Sequence, residues 1–350
     1  MKYFLLASTI AILIFACSKE RVDPVQEKQQ TVSEGQEEGN DSTLLLTEDT
    51  LIEVFPEEFV EEDIIWKGVS YVRYSNAPDK TIRTAYSDSD LPIYGNQGTS
   101  FYPYASIFED ANGNDVDYPI TLEFIELYTA KDMILANIPA TSKGELLNSG
   151  GEFFVKAYKD GQEIFVKPFN NMTVKVPSAD PEWDMEIFVN ETNTDQFTDW
   201  VPADEATWVD PNMNKEAFLL WPTDTVGLPS GVTTPGYELS IASLGWINCD
   251  FFYSFTGGKT SVSFASAAID LQYIQTYLYV PSASSVMTVY NGASGQIPVG
   301  EMLKVICFAV DSDDKTHYMI KEFTVEDGQT IEILLTEGAQ TAFELELESL

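Results

Sequence analysis

The sequence contains few of the residues on which metal and redox sites usually depend. In 350 residues there are three cysteines and one histidine. The first cysteine lies at position 17, far from the rest, and His317 with Cys249 and Cys307 cannot make a structural zinc site of the usual kind. We therefore expect no bound cofactor.

Basic residues are scarce as well. The chain has 19 Lys and Arg against 56 Asp and Glu, which gives a formal net charge of -37. A surface this negative repels nucleic acid, because the protein has too few Lys and Arg side chains to displace the counterions around the phosphates. The charge therefore excludes nucleic-acid partners.

Long apolar runs are absent beyond the first 16 residues. Residues 3–15 are apolar except for Ser8 and Thr9, which is too short for a permanent membrane span but typical of a signal peptide. The run ends in Ile14-Phe15-Ala16-Cys17, which resembles the lipobox of bacterial lipoproteins. An ordinary secretory signal with a nearby cysteine is the alternative interpretation.

The lipobox resemblance implies removal of the signal peptide, residues 1–16, and acylation of Cys17. Several acyl chains together, palmitate among them, would hold the protein on a membrane. Ser18 is not the aspartate associated with inner-membrane retention, so we expect an outer-membrane, lipid-anchored location. The sequence leaves open whether the protein faces the periplasm or the exterior.

An acidic segment follows the lipobox. Residues 29–66 contain no Lys or Arg but many Asp and Glu. Like charges at this density extend a chain, so residues 17–62 are predicted to form a tether that separates the folded part from the membrane.

The secretory route also permits a disulfide between Cys249 and Cys307. Both lie in apolar runs where buried free thiols are common.

From about residue 66 the pattern is that of β-structure. Pairs that favour tight turns separate apolar runs at positions 112–113, 160–161, 257–258, 291–292 and 327–328. The flanking residues alternate in polarity, and the last alternation is Phe343, Leu345 and Leu347. Helical periodicity occurs only around residues 130–136. The sequence therefore predicts an all-β protein.

The chain is predicted to divide into two antiparallel β-sandwich domains. Residues 178–236 interrupt the strand pattern with many Pro and Asp residues and four of the six tryptophans. We interpret this stretch as an irregular inter-domain segment. The N-terminal domain then spans residues 63–177 and the C-terminal domain residues 237–350.

Three stretches resemble a known group of proteins. They are residues 98–137, residues 144–153 with Gly150-Gly151-Glu152-Phe153, and residues 244–250 with Trp246-Ile247-Asn248-Cys249-Asp250. Together they are similar to uncharacterised surface lipoproteins of Gram-negative bacteria, whose first domain is loosely like the ZU5 β-sandwich. The resemblance implies a β-sandwich used for contacts, and it carries no catalytic motif.

The acidic and polar residues suggest two kinds of chemistry, calcium binding and hydrolysis. Asp110, Asn112, Asn114 and Asp115 offer oxygen ligands as a calcium loop does, but Gly113 is fourth rather than sixth, so a hairpin turn is favoured. A Ser-His-Asp triad would have to use His317, which we interpret as an exposed loop residue. We therefore predict that the protein is not an enzyme.

The aromatic residues of the inter-domain segment suggest a glycan site. Sugars stack their C–H faces on aromatic rings while carboxylates accept hydrogen bonds from their hydroxyls. The alternative is that these rings anchor the segment by packing, and solvent exposure decides between the two. The candidate residues are Trp183, Trp200, Trp208 and Trp221.

The leading functional hypothesis is a non-enzymatic surface lipoprotein that presents a binding or adhesion surface to a glycan or to a host or surface protein. One alternative is an accessory glycan-binding lipoprotein. Another is a fimbrillin-like subunit that assembles by strand exchange after cleavage at an arginine, for which Arg21 and Arg83 are the candidates.

Overall fold

The computed structural model describes residues 64–70, 72, 78–209, 215–220 and 235–350. The chain divides into two compact units, Met1–Val60 and Glu61–Leu350, and every described residue belongs to the second unit. The signal peptide, Cys17, the whole predicted tether and Trp221 lie outside the described residues. In the described part, no helix combines the length and the apolar character that crossing a membrane requires.

The described chain contains 23 strands and two α-helices. The strands are β1 Thr81–Ala85, β2 Ile93–Tyr94, β3 Ser100–Tyr102, β4 Phe108–Glu109, β5 Ile120–Leu127, β6 Thr141–Ser142, β7 Glu145–Lys159, β8 Gln162–Val166, β9 Met172–Pro177, β10 Glu186–Asn190, β11 Trp200–Pro202, β12 Phe218–Leu220, β13 Gly236–Ile241, β14 Gly245–Phe252, β15 Lys259–Thr260, β16 Ser263–Ala265, β17 Gln275–Val280, β18 Ser285–Thr288, β19 Ile297–Pro298, β20 Met302–Val310, β21 Thr316–Thr324, β22 Thr330–Glu332 and β23 Thr336–Gly338. The helices are α1 Ala130–Ala136 and α2 Gln340–Glu348. This content confirms the all-β prediction.

Three larger sheets organise the strands. The outer sheet has the order β12-β13-β9-β3-β2, and the nine-stranded central sheet has the main order β1-β5-β7-β14-β10-β11. The C-terminal sheet has the order β18-β17-β20-β21-β23. The pairs in all three are antiparallel, and in the described residues only the small β16–β22 pair is parallel.

The three large sheets pack around three apolar cores. The first core joins residues of the outer sheet, such as Val174, to residues of the central sheet, such as Phe153. The second joins the other face of the central sheet, through Phe154, to the C-terminal sheet and both helices. The third lies on the remaining face of the C-terminal sheet, around Val305. The central sheet is therefore covered on both faces.

The strand pairing corrects the predicted domain boundaries. Strand β13 begins at residue 236 and β14 at residue 245, where the C-terminal domain was predicted, yet they pair with β9 and β7 of the predicted N-terminal domain. Strands β10, β11 and β12 lie within residues 178–236, and they join the central and outer sheets. The described residues of this stretch, 178–209, 215–220 and 235–236, are therefore part of the first sandwich, because distant strands complete its sheets and local composition does not encode such partners.

Helix α1 confirms the short helical prediction. The Thr129 hydroxyl accepts a hydrogen bond from the Asp132 amide at 3.1 Å, and the Asp132 carboxylate accepts one from the Thr129 amide at 3.2 Å. This capping box pairs two amides that would otherwise lack partners, and Asn137 ends the helix in the left-handed conformation.

Helix α2 contradicts the strand predicted from the final alternation. Phe343 and Leu347 lie one turn apart and are buried, whereas Leu345 is 65% exposed. The Phe343 ring contacts the rings of Phe308 and Tyr318, with centroids 4.9 and 5.0 Å away. Residues two apart share a face of a strand, whereas residues four apart share a face of a helix. Because Phe343 and Leu347 are buried together and Leu345 is not, this packing selects the helix.

Candidate functional site

The four candidate tryptophans do not form one site. Trp200 is fully buried in β11, and its indole N–H donates to the Pro139 carbonyl at 2.9 Å. Trp183 is 72% exposed just before β10, and Trp208 is half-buried near the far end of that strand. Trp200 therefore packs, as the structural alternative predicts, while Trp183 and Trp208 offer accessible ring surface.

Trp208 lines an open cavity of about 410 Å³, which we call the Trp208 groove. Other walls come from β7, β8, the loop of residues 191–199 and the turn between β13 and β14. They contribute the polar residues Lys156, Glu163, Asn193, Thr194, Asp195 and Ser243. The volume falls in the range of small-molecule sites, roughly 300–1,000 Å³.

Lys156 is the cation of the groove and is held by two carboxylates. Its Nζ lies 2.9 Å from Glu163 Oε1 and 2.7 Å from Asp195 Oδ1. Burial lowers the pKa of Lys156, but hydrogen bonds to Asp195 and Glu163 outweigh it, so the pKa is raised. One positive and two negative charges leave this part of the groove negative, which disfavours anionic ligands.

Asn190 orders the loop that forms one wall. It is buried in β10, and its side-chain amide donates to the carbonyls of Thr194 and Gln196 at 3.3 and 3.0 Å. Its side-chain oxygen accepts from the amide and hydroxyl of Thr198 at 2.9 and 2.8 Å. The Asn190 carbonyl accepts from the Trp208 indole N–H at 3.1 Å. One residue therefore positions both the loop and the ring.

Sequence reasoning missed most of the groove. Trp208 was a candidate, but Asn190, Lys156, Glu163 and Asp195 lie on separate strands and loops that only the fold brings together. The concentration of Thr, Asn and Asp in residues 191–199 indicates a turn-rich loop. That local signal identifies a loop and does not reveal its partners.

The calcium candidates form a compact turn. Asp110 Oδ1 accepts hydrogen bonds from the amides of Asn112 and Asn114 at 2.8 and 2.9 Å, and the Asn114 side chain also donates to Asp110. These hydrogen bonds lower the pKa of Asp110 to about 2, and the bond from the Asn114 side chain has the largest effect. Asp115 lies 2.8 Å from Lys167 Nζ. The carboxylates of Asp110 and Asp115 are thus engaged within the chain, as expected of a hairpin turn.

His317 is buried, which contradicts the prediction of an exposed loop residue. It lies on β21, its Nε2 is 3.0 Å from Asp311 Oδ2, and its ring meets Trp66 edge-on at 4.8 Å. Backbone hydrogen bonds pair residues 65 and 67 with residues 312 and 310, so the start of the described chain covers this histidine. Burial opposes the ionised form of Asp311, but hydrogen bonds from His317 and two amides lower its pKa.

A second polar cluster lies inside the molecule, where two of the stretches that carried the family resemblance pair as β7 and β14. Glu152, Asn248 and Asp250 are fully buried there, and we call them the Glu152 cluster. Burial, and then the charge of Asp250, raises the pKa of Glu152 well above its ordinary value, although nearby Trp200 opposes this. Burial also raises the pKa of Asp250 to about 8, against hydrogen bonds from neighbouring groups.

Cys249 and Cys307 are free, buried thiols in different cores. Cys249 lies in the first core and Cys307 in the third. Burial raises the pKa of Cys307 to about 12 and that of Cys249 well above its ordinary value. The disulfide alternative is therefore not realised, and neither thiol is activated.

Of the two arginines that are candidates for cleavage before strand exchange, the structure describes only Arg83. Arg21 lies outside the described residues. Arg83 lies in β1, an edge strand of the central sheet, where it pairs with Leu122. Its guanidinium donates to the Ile82 carbonyl at 3.0 Å and to Asn96 Oδ1 at 3.1 Å.

Comparison with known proteins leaves the family open. No family model matches the chain, and no curated protein matches it. Among solved structures, the chain is similar to the gamma-CGTase of alkalophilic Bacillus clarkii with 10% identity and a TM-score of 0.17. That match covers 73% of this chain and 41% of the other. At this TM-score the likeness carries no argument about fold or activity.

Proposed function

We propose that this protein is a lipid-anchored, non-enzymatic lipoprotein of the outer membrane that binds neutral carbohydrate in the Trp208 groove. The single observation that carries the proposal is the arrangement of the groove. It places an accessible indole beside Glu163, Asp195 and Asn193, in a cavity of about 410 Å³. This combination suits a sugar, which presents C–H faces and hydroxyl groups together.

The charges of the groove support a neutral ligand. Lys156 is already paired with Glu163 and Asp195, so it has little capacity to attract an anion. The net charge of -37 on the chain adds long-range repulsion of acidic polymers. Glycans rich in sulfate or carboxylate groups are therefore disfavoured relative to neutral ones.

The groove is also ordered before a ligand arrives. Asn190 holds the loop through its side chain and holds the Trp208 ring through its carbonyl. A preformed site loses less conformational entropy on binding than a mobile loop does. This favours recognition by a rigid surface, while the lipobox and the acidic segment support display of that surface away from a membrane.

A glycan array tests the proposal. The chain from residue 17, made soluble by Cys17→Ser, should bind neutral oligosaccharides more strongly than anionic ones. Trp208→Ala should weaken that binding at least about tenfold, the equivalent of 1.4 kcal/mol. The matched control is Trp183→Ala, which removes an exposed indole outside the groove and should leave binding unchanged.

Two outcomes would reject the assignment of the groove. One is uniform silence on the array with a correctly folded protein. The other is binding that survives Trp208→Ala but is lost in Trp183→Ala. Anchoring is tested separately by labelling cells with palmitate, which should enter the wild-type chain and not Cys17→Ser.

Strand exchange remains a second candidate because Arg83 lies in an exposed edge strand. Cleavage after Arg83 would remove the first three residues of β1 and leave part of β5 without its neighbour. Such an edge can accept a strand from another molecule. Intact mass of the surface protein distinguishes this candidate, since it requires a product that begins after an arginine and has lost the lipid.

A further inference from the structure

The Glu152 cluster lies between the central and C-terminal sheets. Glu152 is directly opposite Asn248 in the β7–β14 register, and a β-bulge then separates Asn248 from Asp250. Strand alternation places Glu152 on the face that carries Phe154, and Asn248 on the face that carries Trp246, both in the second core. The cluster is thus enclosed by apolar packing.

Its polar atoms are incompletely paired. Both carboxylate oxygens of Glu152 and the side-chain oxygen of Asn248 are buried without a hydrogen-bond partner. Asn248 turns its amide toward Asp250, donating to Oδ2 at 2.6 Å, so its own oxygen is left over. The nearby Trp200 indole N–H donates to the Pro139 carbonyl. Each unpaired buried acceptor destabilises the fold, because it has lost its hydrogen bond to water and gained none in return.

We propose that the Glu152 cluster binds a calcium ion. The proposal concerns the interior and is independent of the Trp208 groove. Its motivation is that three unpaired oxygens and a second carboxylate lie at one bulge, beside the Ser149 hydroxyl, which is also buried and unpaired. A dication balances both carboxylates and contacts several oxygens at once.

The donor set favours calcium over other metals. All the groups are oxygens from carboxylates and an amide, which hard cations prefer, and the neighbouring thiol of Cys249 faces the first core. In the described chain no group of three or more His, Cys, Asp or Glu side chains could by itself hold a metal ion, so the site proposed here depends on the Asn248 oxygen beside its two carboxylates. Magnesium retains water and requires near-octahedral geometry, whereas calcium accepts irregular, dehydrated oxygen sets.

Metal analysis of the full mature chain tests the proposal. The wild-type protein, purified without added metal and without chelator, should contain one calcium per chain. Removal of calcium with EDTA should lower the melting temperature, and CaCl₂ should restore it where MgCl₂ does not. Glu152→Gln should weaken calcium binding at least about tenfold, because ligand charge sets affinity at such sites.

Asp110→Asn is the matched control, since it changes an exposed aspartate in an acidic turn that sequence pattern alone makes a calcium candidate. It should leave both the stoichiometry and the EDTA effect unchanged. The proposal would be overturned by wild-type protein that holds no calcium and melts identically with EDTA and with CaCl₂. Equal calcium loss in Asp110→Asn and Glu152→Gln would overturn it too. The wild-type measurements decide the question by themselves, so a variant that folds poorly would not leave the proposal untested.

Discussion

The Trp208 groove and the Glu152 cluster are two polar regions built from the same strand, β7, with opposite degrees of pairing. In the groove, Lys156 is matched by two carboxylates and Asn190 uses both ends of its amide. In the cluster, Glu152 has no hydrogen-bond partner. If both proposals hold, internal pairing preorganises a surface for a neutral ligand, whereas unpaired buried acceptors mark the place of a cation.

The largest expected effect is that of removing the Trp200 ring, which is fully buried. Trp200→Ala should destabilise the protein by about 3–5 kcal/mol, because it removes a fully buried ring and leaves the Pro139 carbonyl unpaired. Trp183→Ala should change stability by less than about 0.5 kcal/mol. Urea denaturation measures both, and similar losses would break the distinction between packing and exposed rings.

An intermediate effect is expected at the residue that organises the groove. Asn190→Ala should cost about 1–3 kcal/mol, since it removes the buried amide that pairs with the carbonyls of Thr194 and Gln196 and with the amide of Thr198. It should also weaken carbohydrate binding although Asn190 does not line the groove. Calorimetric titration and thermal unfolding check this. Undiminished affinity would show that loop order is irrelevant to recognition.

A smaller, pH-dependent effect is expected at Asp311, a buried acid that is fully partnered. Hydrogen bonds lower its folded pKa below the ordinary 3.8, so its stabilisation is present above that value and is lost as the pH falls through the folded pKa. Asp311→Asn should therefore cost about 1 kcal/mol at pH 7. Unfolding curves from pH 2 to pH 7 should converge at the acidic end. A constant difference would exclude the linkage.

Local features of the fold could be predicted from the sequence, and long-range ones could not. The turn at Asp160 and Gly161 has positive φ at both residues and joins β7 to β8, as its residue types require. Helix α1 carries its own capping residues. By contrast, residues 343–347 fit two periodicities, and only contact with Phe308 selects the helix.

The same division applies to the sites. Trp208 and the acidic turn at Asp110 were visible because they depend on residue type and near neighbours. The Glu152 cluster depends on β7 meeting β14 across about a hundred residues, and His317 depends on cover from Trp66. No local pattern reports such partners, so burial was inferred wrongly at His317 and could not be inferred at Glu152.

The most direct test of the central claim is a nuclear magnetic resonance titration of the tryptophan indole N–H signals with a neutral oligosaccharide chosen from the array. Trp208→Phe and Trp183→Phe assign the two accessible rings. The account predicts a saturable shift of the Trp208 signal while the Trp183 signal stays in place. A saturable shift of Trp183 with Trp208 unmoved would contradict it.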